Sequence, residues 1–294
     1  MVKVIFLKCV KIYGIKDLDT ARVYAGGRSE ELLGEAQAYK QFAISTKAPA
    51  FSPKSLAEEK IIANCNASLK ALGRNKHQPL TLQDYLHGPD HETPLEEQCR
   101  AIGKLYSEGK FAKFGVSNIS PAEVQKIHDI YTQEQYATPS IYQGAYNPVQ
   151  RSAEVSLLPL LRKLNMNFYA FSPLAGGMLA KKIDDVMKPA PGTRFDAMKV
   201  FGDMYLKNPT LDVLAVLKSS FNEEGITVME GTMRWLLHHS PLGEQDGVIL
   251  GASNTGQIDA SLTACGKGPL DERLAKVFED LWAAIRDEPS HVHN

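Results

Sequence analysis

Short β-rich runs alternate with longer amphipathic segments along most of this chain. This alternation constrains the fold most strongly, because strand, helix and strand at this spacing predict βαβ units and a parallel sheet. The predicted strands are Lys16–Thr20, Phe42–Lys47, Leu80–Leu86, Lys113–Ser117, Pro139–Gln143, Asn167–Ser172 and Gly247–Ser253. The predicted helices are Ser29–Ala38, Ser55–Leu72, Pro94–Glu108, Pro121–Gln135, Ala153–Leu164, Asp212–His239 with a break at Gly225, Thr255–Cys265 and Asp271–Asp287. Thr93 and Ser120, each followed by proline, are predicted helix caps.

The parallel sheet could be open or closed into a barrel, and the two topologies predict different chemistry. An open dinucleotide-binding sheet carries Gly-x-Gly-x-x-Gly after its first strand, and Gly26-Gly27-Arg28-Ser29 lacks the third glycine. A barrel instead gathers functional residues at the carboxyl ends of several strands. Asp19, Lys47 and His87 stand at three successive predicted strand ends, which favours the barrel.

These strand-end residues, with Tyr24 five positions after Asp19, suit the reduction of a carbonyl group. Hydride addition builds negative charge on the carbonyl oxygen, which needs a proton donor and fixed hydrogen-bond donors. A tyrosine has an ordinary pKa near 10 and donates well at neutral pH only if a cation lowers it. We therefore expect Tyr24 to donate the proton, Lys47 to supply the cation, Asp19 to hold Lys47 charged and His87 to orient the carbonyl oxygen.

At these residues the sequence resembles the aldo-keto reductase superfamily, and specifically its aflatoxin-aldehyde reductase branch, from about Phe6 to Pro289. The motifs that carry the resemblance are Asp19-Thr20-Ala21-x-x-Tyr24, Ser29-Glu30-x-x-Leu33-Gly34, Tyr85-Leu86-His87-x-Pro89-Asp90-His91, Gly115-Val116-Ser117-Asn118, Tyr142-Gln143-x-x-Tyr146-Asn147 and Pro173-Leu174-Ala175-Gly176-Gly177. The resemblance implies an α/β fold of the (β/α)8 TIM-barrel type, formed as a single domain by residues 1–294. It also implies that Asp19, Tyr24, Lys47 and His87 are the catalytic tetrad.

The resemblance further implies an NADPH site. Its nicotinamide carboxamide would be held by Ser117, Asn118 and Gln143, with the Phe171 ring under the nicotinamide, where relatives often have tyrosine. Ser172, Leu174 and Gly176 match the segment beneath the pyrophosphate. Lys182 and Arg194 match basic positions in a long loop that covers the cofactor.

The segment Gly251–Gln257 leads into a predicted helix, whose free amides and positive dipole end suit the 2′-phosphate of NADP. Gly251, Ser253 and Gln257 are therefore candidate cofactor-binding residues, as is Ser261 near the adenine. Many relatives carry arginine in place of Gln257 and asparagine in place of Ser261. The branch as a whole nevertheless favours NADPH over NADH.

Only eighteen residues precede Asp19, so comparison with the family implies a barrel without its N-terminal hairpin and first strand. Val2–Val10 is β-rich and could form a substitute strand, but a normal crossover helix would not fit after it. We expect a barrel with unpaired edges to be less stable or to associate, for example as a homodimer.

Composition limits the partners of this chain. Its 33 basic and 34 acidic residues give a net charge of -1, so no net field attracts nucleic acid or an anionic membrane, although local charged patches remain possible. The longest apolar stretch, Phe168–Leu179, is too short to span a bilayer. The sequence shows no signal-peptide pattern and no metal-binding motif, and its four cysteines are scattered. We therefore expect a cytoplasmic enzyme with reduced thiols and a small-molecule substrate.

Three functions remain open from the sequence. The first is an NADPH-dependent reductase, acting on neutral aldehydes or ketones because no arginine follows Arg286, with a role in secondary metabolism. The second is a catalytically impaired or regulatory NADP(H)-binding protein. The third is a barrel aldolase that uses Lys47 as a Schiff-base nucleophile. The sequence does not identify the physiological substrate.

Overall fold

The structure is a computed structural model, which describes residues 11–73, 82–189, 191, 196, 202, 205–206 and 208–287. The chain divides into two compact units, Met1–Gln143 with Leu160–Asn167 and Asn294, and Gly144–Pro159 with Phe168–His293. The strands are β1 (Asp17–Asp19), β2 (Ala43–Ala48), β3 (Leu82–Leu86), β4 (Lys113–Ser117), β5 (Ile141–Ala145), β6 (Asn167–Phe171) and β7 (Gly247–Val248). The helices are α1 (Arg28–Glu35), α2 (Glu58–Ala71), α3 (Leu95–Ser107), α4 (Pro121–Gln133), α5 (Leu157–Lys163), α6 (Ile183–Met187), α7 (Asn208–Glu223), α8 (Val228–His238), α9 (Thr255–Cys265) and α10 (Glu272–Ile285).

The first unit is built on parallel strands that pair in chain order from β1 to β5. Asp19 is in register with Ser45, Lys47 with Tyr85, and Ser117 with Gln143. Because neighbouring strands run in the same direction, their carboxyl ends meet at one edge. The prediction of an α/β protein with a parallel sheet is confirmed, and closure of the sheet into a barrel stays a prediction.

Helix α1 packs unusually closely on the end of α2 in this unit. A Cβ atom added to Gly34 would lie 2.1 Å from the carbonyl oxygen of Ala71 and 3.0 Å from the carbonyl carbon of Leu72. Glycine is therefore needed here for close approach of two backbones.

In the second unit, β6 and β7 pair in parallel, with Tyr169 opposite Gly247. The predicted strand Gly247–Ser253 is too long: β7 ends at Val248, and exposed Gly251 and Ser253 belong to the loop before α9. The ring of Phe278 on α10 packs against Phe221 and Trp235, with centroids 5.2 and 5.8 Å away. These buried aromatic contacts join α7, α8 and α10.

Most predicted helices are present with shifted ends. The predicted break at Gly225 is confirmed, because Gly225 has a φ of 66° between α7 and α8. Ser120 caps α4 in a capping box with Glu123, as predicted. The prediction for Thr93 was wrong: α3 starts at Leu95, and the Thr93 hydroxyl donates to Asp90 Oδ2 over 2.7 Å instead.

The helix predicted over Ala153–Leu164 starts late, because Ser152–Glu154 forms a separate 3-10 turn and α5 begins at Leu157. The proposed substitute strand Val2–Val10 lies outside the described residues. Among the residues that the structure describes, no helix is both long and apolar enough to cross a membrane.

Candidate active site

Lys47 lies at the centre of the candidate site, near the carboxyl end of β2, with only 2% of its side chain exposed. Its Nζ donates to Asp19 Oδ2 over 2.6 Å and to the Thr20 carbonyl oxygen over 2.8 Å. A buried ammonium is stable only when it is paired in this way. A Schiff-base nucleophile must be a neutral amine, whereas these contacts favour the charged ammonium. They therefore argue against the hypothesis that the protein is an aldolase.

Asp19 is fixed from two sides at the end of β1. Its Oδ2 accepts from Lys47, and its Oδ1 accepts from Gln143 Nε2 over 2.7 Å. Gln143 itself is buried on β5. The structure therefore places the side-chain amide of Gln143, a predicted cofactor contact, in direct contact with the carboxylate of Asp19, a predicted member of the tetrad.

Tyr24 and His87 complete the tetrad beside Lys47. The Lys47 Nζ lies 5.1 Å from the centroid of the Tyr24 ring. The rings of Tyr24 and His87 meet edge to face with their centroids 5.8 Å apart. Tyr24 keeps 39% of its surface exposed, so a substrate can reach it. The predicted tetrad is thus brought together within the first unit.

The imidazole of His87 is neutral at physiological pH. Burial, assisted by the positive charge of Lys47, lowers the pKa of His87 from 6.5 to about 4. A neutral imidazole carries one N–H donor and one acceptor nitrogen. His87 is therefore suited to orient a carbonyl oxygen by a hydrogen bond, which leaves Tyr24 as the group suited to give up a proton.

The same lowered pKa predicts a pH dependence of stability. Between the unfolded value of 6.5 and the folded value of about 4, the unfolded chain binds a proton that the folded chain does not, so stability falls as the pH drops. From pH 7 to pH 5 this loss amounts to about 2 kcal/mol. Urea titrations at pH 7 and pH 5 measure the free energy of unfolding. Between these pH values it should fall less for His87→Gln than for the wild type. Equal losses in the two proteins would contradict the assignment.

Phe51, in the loop after β2, is a site residue that the sequence analysis missed. Its ring lies edge to face on His87 with centroids 5.5 Å apart, and 60% of the residue is exposed. A Cβ atom on Gly88 would lie 2.2 Å from Phe51 Cε1, so the glycine makes room for the ring. A lone aromatic in a Pro- and Ser-containing loop gives no signal of this contact in the sequence.

Ser117 and Asn118 lie next to the tetrad at the end of β4. The Asn118 Nδ2 donates to the His87 carbonyl oxygen and to Ser117 Oγ, both over 2.9 Å. Asn118 has a φ of 56°, a left-handed conformation that asparagine tolerates better than most residues. The hydrogen bonds of the Asn118 side chain thus link the end of β4, which carries Ser117, to the segment that carries His87.

The second unit contains the remaining cofactor candidates. Phe171 is the last residue of β6, and Ser172, Leu174 and Gly176 follow it in the segment after the strand, where Ser172 and Gly176 have φ values of 53° and 68°. Lys182 is an exposed residue at the start of α6. Arg194 lies outside the described residues.

The other candidates of this unit surround the N-terminus of α9. Asn254 caps the helix by accepting from the Gln257 amide over 3.0 Å. Gln257 Oε1 accepts from both the amide and the hydroxyl of Ser253, each over 2.9 Å. The backbone and hydroxyl donors of Ser253 thus converge on one acceptor oxygen, as they could on a phosphate oxygen.

Gly251 leaves open space at the same helix end, because a Cβ atom there would meet nothing within 4 Å. Ser261 differs, because its hydroxyl donates to the Gln257 carbonyl oxygen over 3.0 Å within α9. Among the described residues, no group of three His, Cys, Asp or Glu side chains is placed to hold a metal ion.

The aldo/keto reductase family model matches residues 5–283 of this chain. The chain belongs to the aldo/keto reductase family. The chain is 35% identical to an aldo-keto reductase of Pseudocercospora fijiensis, over 95% of this chain and 97% of that protein. It is 35% identical to oxidoreductase sirO of Leptosphaeria maculans, over 96% of this chain and 86% of that protein. The protein is therefore an oxidoreductase enzyme.

The predicted branch is also confirmed. The aflatoxin B1 aldehyde reductase member 2 of Rattus norvegicus is 33% identical, over 94% of this chain and 78% of that reductase. Membership of the family implies carbonyl chemistry with a nicotinamide cofactor and a (β/α)8 barrel.

Proposed function

We propose that this aldo-keto reductase converts an aldehyde or ketone to the alcohol with NADPH, and that Tyr24 donates the proton. The observation that carries the proposal is the position of the Lys47 ammonium, bound to Asp19 and 5.1 Å from the Tyr24 ring centroid. A cation at this distance favours the tyrosinate that remains after proton donation. Proton transfer from a tyrosine is thereby made easier at neutral pH.

NADPH, when bound, supplies the hydride that adds to the carbonyl carbon. The residues of this chain manage the charge that develops on the carbonyl oxygen. The neutral His87 N–H orients that oxygen, and the Tyr24 hydroxyl gives it a proton. Lys47 stabilises the resulting tyrosinate, and Asp19 keeps Lys47 charged. Tyr24 is exposed enough to recover a proton from solvent afterwards.

NADPH rather than NADH is proposed because α9 offers a place for an additional phosphate. The donors of Ser253 converge at the helix end, where the dipole is positive. Ser117, Asn118 and Gln143 would hold the carboxamide, while Phe171, Ser172, Leu174 and Gly176 would contact the nicotinamide and pyrophosphate. Gly251 and Gln257 would approach the 2′-phosphate, with Lys182, Arg194 and Ser261 as further contacts that family resemblance implies.

An NADPH-oxidation assay tests this function directly. We expect turnover with 4-nitrobenzaldehyde and 9,10-phenanthrenequinone, faster with NADPH than with NADH. A parallel titration of tryptophan fluorescence measures cofactor binding. Binding without turnover of either substrate would contradict the reductase and support the regulatory alternative. Covalent trapping of a carbonyl compound on Lys47 by borohydride would support an aldolase instead.

The exposed Phe51 ring favours aromatic carbonyl substrates over short aliphatic ones, because the ring offers an apolar face beside His87. We expect Phe51→Ala to raise KM for 4-nitrobenzaldehyde about fivefold, since an aromatic contact contributes roughly 1 kcal/mol. The KM for propanal should change little and serves as the control. Equal changes for the two aldehydes would show that Phe51 does not contact the substrate.

The wider proposal, a role in secondary metabolism, rests on the resemblance to the aflatoxin-aldehyde reductase branch.

A further inference from the structure

The turn that carries Tyr24 has an unfavourable backbone conformation. The 3-10 turn Tyr24–Gly27 contains three successive left-handed residues, with φ values of 50° at Ala25, 61° at Gly26 and 91° at Gly27. A non-glycine residue in this region costs of order 1–3 kcal/mol and persists only when its surroundings hold it. The position of Tyr24 must therefore be enforced by neighbouring contacts.

Arg22 and Glu30 provide such contacts from the two sides of the turn. Arg22 Nη1 donates to the Gly27 carbonyl oxygen over 3.3 Å and to Glu30 Oε2 over 3.0 Å. The guanidinium lies so close to the turn that a Cβ atom on Gly27 would be 2.6 Å from Arg22 Nη2. The turn is thus closed by an ion pair across its base.

Glu30 also connects this turn to the strand of Lys47. Its side chain is completely buried, and its Oε1 accepts from the Thr46 hydroxyl over 2.5 Å. Thr46 directly precedes Lys47 on β2, and successive strand residues point to opposite faces. Thr46 can therefore hold Glu30 from the face opposite to Lys47.

A fully buried carboxylate is costly unless its partners compensate for the lost hydration. The catalytic scheme itself does not use Glu30, so its burial calls for another role. The charged groups at Tyr24 are Lys47, its partner Asp19 and, when protonated, His87. The Arg22–Glu30 pair contacts the turn at a different point, the carbonyl oxygen of Gly27.

We propose that Glu30 is a positioning residue, which ties the Tyr24 turn through Arg22 to Thr46 on β2 and thereby sets the separation of Tyr24 from Lys47. The inference rests on the proposed function of Tyr24 as proton donor. Loss of the tie lets Tyr24 move away from the ammonium, so that its hydroxyl becomes a weaker acid.

The test uses Thr46→Val, which removes the hydroxyl, and Glu30→Gln, which removes the charge with little change of shape. We expect kcat to fall roughly tenfold in each variant. This is less than the loss of the general acid itself, because Tyr24 remains present but is a weaker acid. The basic limb of the pH profile of kcat should move upward by about one pH unit. NADPH affinity and substrate KM should change little, and Thr46→Ser should restore both kcat and the limb.

Glu35→Gln is the matched control, because Glu35 lies on the same helix as Glu30 and pairs with Arg28, but its side chain is about half exposed. It should leave kcat and the pH profile unchanged. A lower melting temperature in folded Thr46→Val and Glu30→Gln, with kcat and the basic limb unaltered, would show a purely structural role and overturn the proposal.

A measurement without turnover separates this proposal from the proposed function. An ultraviolet titration of the wild type, minus that of Tyr24→Phe, isolates the ionisation of Tyr24. An upward shift of that difference curve in Thr46→Val supports the positioning role even if the wild type reduces no carbonyl compound. An unshifted curve in the folded variant refutes it.

Discussion

Replacement of Tyr24 by phenylalanine should abolish carbonyl reduction while leaving NADPH binding largely intact. The substitution removes only the hydroxyl, which is the proposed proton donor beside Lys47. General acid catalysis contributes about 10²–10⁴-fold, so the expected loss in kcat is of that size. The ring still contacts His87, so that the shape of the site is retained. Steady-state NADPH oxidation measures the loss, and a fluorescence titration measures NADPH affinity.

Tyr106→Phe is a suitable control, since Tyr106 is as exposed as Tyr24 but packs on Phe111 at the end of α3. It should retain full activity. If Tyr24→Phe reduced 4-nitrobenzaldehyde at the wild-type rate, another group would have to be the proton donor. The roles assigned to Lys47 and Asp19 would then lose their basis.

Gly34→Ala should lower the free energy of unfolding strongly. The new methyl group would stand 2.1 Å from the Ala71 carbonyl oxygen, so α1 and the end of α2 would have to separate. Backbone atoms cannot rotate away as a side chain can, and overpacking of this kind costs about 3 kcal/mol. Urea unfolding followed by circular dichroism would report the change as a lower midpoint.

The same substitution at Gly266 provides the comparison. A Cβ atom there would lie 3.5 Å from the nearest neighbour, the Thr263 carbonyl oxygen, which is an ordinary contact. Gly266 has a φ of -78°, so alanine fits the backbone and should change stability by about 1 kcal/mol or less, in the stabilising direction. If Gly34→Ala and Gly266→Ala lowered the free energy of unfolding by similar amounts, the close contact at Gly34 would not be the cause of the destabilisation.

The proximity of the four candidate tetrad residues was predictable from the sequence because each of them has a distinctive position. Asp19, Lys47 and His87 follow three successive β-rich runs, and parallel pairing necessarily brings the ends of such runs together. Tyr24 lies a few residues after the first of them. A fold class and a chemical pattern together were sufficient for this part of the site.

Other parts depend on three-dimensional contacts that no local pattern encodes. Glu30 lies in the first turn of a helix, where an acidic residue ordinarily faces solvent and favours the dipole; its burial follows from Arg22 and Thr46. Phe51 contacts His87 only because the loop after β2 folds back over Gly88. The end of β7 was misjudged because the apolar run continues beyond the last strand pair.

The pairing of Asp19 with Lys47, together with the neutral His87, leaves the tetrad without net charge at neutral pH. An uncharged cluster exerts no long-range electrostatic steering on an approaching carbonyl compound. Encounter with a neutral substrate then depends on diffusion and shape, and ionic strength has little influence on it. The strong local field is confined to the few ångströms around the ammonium, where it acts on the developing negative charge.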